Sequence, residues 1–135
     1  MTNPARRSAL TLLAGVLLAT GTAACAQATP RRQQFIYLLR VVPRFQDPRE
    51  WTERENGVVR QHFERLTKGA ALGQVILAGR TTETLAATFG VVIFEAENME
   101  TARQFMENDP AIAAGVMTAT LHPYAVALQR AQRVE

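Results

Sequence analysis

Two histidines, His62 and His122, are the side chains in this sequence best suited to move a proton near neutral pH. His62 falls on an apolar helical stripe. There it serves either as a core residue with one nitrogen satisfied or as a general acid or base. Asp109 precedes Pro110, a pairing that starts a helical turn with the carboxylate as N-cap. A carboxylate fixed in this way can also hold an imidazole in one tautomer and stabilise its protonated form. His122 belongs to a strand in which Thr118, Thr120, His122 and Tyr124 alternate onto one face. By the same alternation Arg40 shares a face with Ile36 and Leu38, and Arg80 shares one with Gln74, Ile76 and Ala78. Arg40, Arg80 and His122 are therefore expected to line a cleft suited to an anionic or phenolic ligand. The competing reading is that Arg80 and His122 are solvated strand ends.

Other chemistries lack their residues. Two histidines and a single cysteine, Cys25, with no His-x-x-x-His or Cys-x-x-Cys spacing, leave no expected metal site. No phosphate-binding loop or dinucleotide fingerprint occurs. Residues 27–135 contain no serine, which excludes a serine nucleophile there. No cofactor is expected.

The elements that must position these residues follow from periodicity. Phe35–Val42 is rich in β-formers and apolar on both faces, so it reads as a central strand ended by Pro43. Glu50–Lys68 reads as a helix, with acids early and Arg65 and Lys68 late, as the helix dipole favours. Its apolar stripe runs through Val58, Val59, His62, Phe63 and Leu66, and Arg54, Gln61, Glu64 and Arg65 fall opposite. Gly57 weakens its start, and Gly69 or Gly73 ends it. Gln74–Arg80 and Phe89–Ala96 read as strands joined by a polar hairpin tip. Asn98 caps a helix through Asn108, with Met99, Ala102, Phe105 and Met106 as its buried stripe. Thr118–Tyr124 is the last strand, stopped by Pro123, and Ala125–Glu135 is expected to add a short tail helix. The order strand, helix, strand, strand, helix, strand is the split βαβ pattern of a ferredoxin-like α+β sandwich. Two helices cover one face of such a sheet. The other keeps apolar residues on the first and third strands and calls for a second copy.

The amino terminus has a separate job. Arg6 and Arg7, the apolar run Ala9–Ala19 and the small residues to Ala28 form a secretory signal, with cleavage expected after Ala26 or Ala28. Arg6-Arg7 matches twin-arginine export poorly. Cys25 as a lipidated residue is a minority reading, because Thr22 stands where a branched aliphatic residue is usual. The apolar run is too short for a permanent membrane span. Removing residues 1–26 removes two of the 15 basic residues and none of the 12 acidic ones, so the net charge falls from +3 to +1. The high isoelectric point thus says little about nucleic acid, and no nucleic-acid partner is expected. The division is a signal at 1–26, a leader at 27–34, one domain at 35–128 and a tail at 129–135. The protein is expected to be exported, periplasmic or secreted.

From about Phe35 to Leu128 the chain resembles the YCII-related family of dimeric ferredoxin-like α/β barrels. The resemblance rests on Tyr37-Leu38-Leu39, on His62 followed by Leu66, and on Leu77-Ala78-Gly79-Arg80. It continues through the Gly90–Phe94 strand, Asn108-Asp109-Pro110-Ala111 leading to Gly115-Val116, and His122-Pro123-Tyr124. It implies a homodimer whose sheets face each other around a cleft, and a His62–Asp109 pair. Family members include a dehydrochlorinase acting on a chlorinated hydroxyhydroquinone, and muconolactone isomerase has a similar barrel. An export signal departs from that pattern. The expected function is cofactor-free proton transfer, of lyase or isomerase type, on a small cyclic or aromatic anion. The alternative is a non-catalytic periplasmic module that binds a ligand or only dimerises.

Overall fold

The computed structural model describes residues 32–130. The expected signal and the leader up to residue 31 lie outside this range, as does the end of the tail. The elements run β1 (Gln33–Val41), α1 (Glu53–Ala71), β2 (Val75–Arg80), β3 (Gly90–Ala96), α2 (Met99–Glu107), α3 (Pro110–Ala113) and β4 (Met117–Tyr124). The four strands form one antiparallel sheet in the order β2-β3-β1-β4. This is the ferredoxin-like α+β arrangement, with β1 and β3 central. Pro123 does not stop β4, which pairs through to Tyr124. A proline is tolerated there because β4 is an edge strand. Ala125–Arg130 is not helical, contrary to the expected tail helix.

One face of the sheet is packed. Phe35, Tyr37 and Leu39 of β1 and Val92, Phe94 and Ala96 of β3 alternate inward and are buried with Leu66, Ala102 and Met106 from the helices. The rings of Phe94 and Phe105 stack at 4.6 Å, and Tyr37 meets Phe94 edge-on at 5.6 Å. The intervening residues of β1 and β3 point the other way. Leu38 is 37% exposed, and Ile36, Val91 and Ile93 are half-buried.

Local signals set the helix limits. Two 3-10 turns, Pro43–Gln46 and Pro48–Glu50, precede the first helix, and the second takes in Glu50, the expected helix start. The helix begins after Thr52, where Thr52 and Glu55 form a capping box. The Thr52 hydroxyl holds the buried Glu55 carboxyl at about 2, against the cost of its burial. Asn98 caps α2 reciprocally with Thr101. Gly69 does not end α1. It lies inside the helix, and a Cβ there would sit 2.7 Å from Val75, so glycine lets the end of α1 close on the start of β2. The chain turns at Gly73, whose φ is 74°.

Candidate active site

His62 and Asp109 meet. Successive helical residues are rotated by about 100°, and this turns Val58, Val59, His62, Leu66 and Gly69 to one side of α1. His62 lies near the middle of that side. Asp109 is placed by α3: its side chain accepts from the Ala111 N–H at 3.0 Å as the N-cap, and it is fully buried. His62 Nδ1 lies 2.8 Å from both Asp109 oxygens, and the His62 side chain keeps 14% of its exposure. The capping and pairing roles weighed for Asp109 are thus filled together.

Two further residues complete the cluster. Tyr37 donates its hydroxyl to Asp109 Oδ2 at 3.2 Å from the buried face of β1. Arg65 brings Nη1 within 3.8 Å of the same oxygen. It also donates from Nη2 to the Phe105 carbonyl at 2.6 Å and stacks 4.0 Å above the Phe105 ring. Nη1 itself is buried with no hydrogen-bond partner among the described residues, so its positive charge acts on Asp109 through space. Sequence pattern had set Arg65 on the solvent face and read Tyr37 only as a strand residue. A signal for Arg65 was present: three residues past His62 on a helix, it shares the same side. No comparable signal marks the Tyr37 hydroxyl.

The electrostatics follow from these partners. Burial alone would raise the Asp109 carboxyl. The hydrogen bond and charge of His62, the Ala111 N–H and the Arg65 charge more than offset it, and the carboxyl is held below its ordinary value. Burial, then the Asp109 charge, pushes the Tyr37 phenol well above its ordinary range, so Tyr37 acts as a neutral donor. A carboxylate only accepts, so neutral His62 carries its proton on Nδ1. That leaves the Nε2 lone pair free, with no partner among the described residues.

His62 also lines a cavity of about 830 Å³ between α1 and the packed side of the β2–β3 half of the sheet. Trp51, Val59, Phe63 and Leu85 contribute apolar surface, and Thr88 and Arg80 contribute polar groups. Phe63, expected in the buried stripe, is 70% exposed beside the cavity. It lies one helical step beyond His62.

The expected grouping of Arg40, Arg80 and His122 on one face is not formed. Between Val75 and Leu77 the β2–β3 register slips by one residue, a β-bulge. Beyond it Ala78 pairs with Val92 and Arg80 with Gly90, residues that share the packed side with Leu39. The bulge therefore turns Arg80 onto the side of His62. Arg40 and His122 stay on the opposite side, opposite Thr118 and Ile36. Arg40 stacks over Phe89 at 5.4 Å, and His122 is exposed. Among the described residues no cluster of three or more His, Cys, Asp or Glu could hold a metal ion. No described helix is long and apolar enough to cross a membrane.

A ferredoxin-like sheet, a helix-borne histidine held by a buried aspartate and an adjoining cavity define a class of small α+β proteins. The YCII-related domain matches residues 34–121, and the chain belongs to that family. A comparison with curated proteins finds no match.

Proposed function

We propose that this YCII-related protein is a cofactor-free proton-transfer catalyst, of lyase or isomerase type, acting on an anionic carbon acid. The observation that carries the reading is the pair of 2.8 Å contacts from His62 Nδ1 to a fully buried carboxylate beside a cavity that His62 lines. His62 Nε2 takes a proton from the substrate and returns it at a neighbouring atom. The imidazolium formed in between is stabilised by Asp109, and Tyr37 and the Ala111 N–H hold Asp109 still. The Arg65 charge adds a smaller push toward the ionised carboxylate. The protein works as an exported homodimer: the start of the sequence supports export, and the half-exposed apolar side of β1 and β3 supports pairing.

The test is deuterium exchange from D2O into a panel of cyclic and aromatic carbon acids, followed by NMR. The wild type exchanges at least one member, and His62→Gln and Asp109→Asn lower that rate by about 10²-fold or more. Undiminished exchange by His62→Gln contradicts the reading. Binding without exchange by the wild type across the panel supports the ligand-binding module instead.

A further inference from the structure

The cavity that adjoins His62 has an uneven chemistry. Arg80 is the one lining side chain with a permanent charge. It makes no ion pair or hydrogen bond among the described residues. Every other arginine near the core has a partner: Arg65 has Asp109 and Phe105, and Arg40 has Phe89. Arg80 points to the cavity side only because one extra residue stands in β2 between Val75 and Leu77. Its cross-strand neighbour is Gly90, which has no side chain to cover the guanidinium. Two strands of spacing separate Arg80 from β1, which carries Tyr37, roughly 10 Å at about 4.8 Å per strand. The space between is walled by Trp51 and Leu85, with Phe63, 70% exposed, the most open of the apolar residues on that side.

A guanidinium at one end, an apolar wall and a proton-transfer group at the other fit an amphipathic monoanion. A volume of about 830 Å³ is in the range that encloses a ligand of drug size, well above a single-ring acid. We infer that the ligand is a long-chain or multi-ring monocarboxylate. Its carboxylate is clamped by Arg80 in the bidentate manner the guanidinium favours, and its apolar body lies against Trp51, Phe63 and Leu85. Arg80 is thus a specificity-determining residue. The assignment rests on the proposed proton-transfer reading only for which end of the ligand reacts; the binding itself stands apart from it.

Trp51 is the sole tryptophan and lines the cavity, so its fluorescence reports occupancy directly. The full chain is titrated with dodecanoate, with dodecanol of equal chain length, and with benzoate, all below micelle formation. Dodecanoate is expected to saturate the Trp51 signal, with dodecanol and benzoate each at least 10-fold weaker. Arg80→Met brings dodecanoate down to the dodecanol level, and Arg80→Lys recovers part of the difference. His122→Gln, on the opposite side of the sheet, retains dodecanoate binding within about 2-fold, and saturable dodecanoate binding in a protein that exchanges no deuterium separates failure of the catalytic reading from failure of this one. Equal affinity for dodecanoate and dodecanol, benzoate binding as tightly as dodecanoate, or Arg80→Met binding like the parent each overturns the inference.

Discussion

The two sides of the sheet hold one histidine each, and the contrast between them separates a site from a surface. On the packed side His62 is held at 2.8 Å by a carboxylate that no water reaches, and a tyrosine, a backbone amide and an arginine fix that carboxylate in turn. On the other side His122 stands exposed opposite Ile36, with no hydrogen bond among the described residues. The residue type is the same and the intrinsic basicity is the same. The surroundings differ: a buried charge must be satisfied by its neighbours, so burial of Asp109 forces order on every group that touches it. Solvent makes no such demand on His122.

The contrast is broken most strongly by removing the buried charge. Asp109→Asn lowers proton-transfer activity by about 10²-fold or more, whereas His122→Gln leaves the same rate within about 2-fold of the parent; equal losses from the two variants would erase the distinction. Stability should follow the same order. Asp109→Ala strips the cap of α3 and leaves the Tyr37 hydroxyl and the Ala111 N–H without their acceptor. About 3 kcal/mol is expected from the cap and the unsatisfied donors together, read from urea denaturation. Tyr37→Phe removes one donor and keeps the packing of the ring, so it costs about 1 kcal/mol in the same assay.

A smaller effect sharpens the electrostatic half of the comparison. The Asp109 carboxyl is held below its ordinary value of 3.8, so its contribution to stability is complete above that value and is lost as the pH falls through the lowered one. Acid unfolding of the parent therefore steepens below about pH 4. In Asp109→Asn that component is missing, while His122→Gln keeps it. The least effect of all belongs to His122→Ala, which should change the unfolding free energy by no more than about 0.5 kcal/mol.

Much of this arrangement could be read from residue order. Asp109-Pro110 and Asn98 announced their helices because a cap is a local device, decided within three or four residues. The run of β-formers from Phe35 to Val42, apolar on both faces, marked β1 as a central strand in the same local way. What escaped depended on partners distant in the chain. The bulge at Ile76 follows from how β2 pairs with β3, and one extra residue is enough to carry Arg80 to the other side of the sheet. Arg65 was read as solvated because it is charged, but its guanidinium lies over a phenylalanine forty residues later and faces Asp109. The Tyr37 hydroxyl finds its acceptor across 72 residues of sequence. The bulge and the Tyr37 contact are tertiary decisions laid over a local pattern, whereas the side taken by Arg65 was legible in its spacing from His62.

The central claim is that Asp109 fixes the tautomer and charge of His62, and the imidazole nitrogens report on it directly. In ¹⁵N NMR of the full chain across neutral pH, neutral His62 is expected to carry its proton on Nδ1. Asp109→Asn replaces one acceptor oxygen with an amide donor, so the Nε2-protonated tautomer of His62 is expected to gain population. The ring-nitrogen signals of His122 should be identical in both proteins. A neutral His62 protonated on Nε2 in the parent, or one whose tautomer is unmoved by Asp109→Asn, would contradict the account.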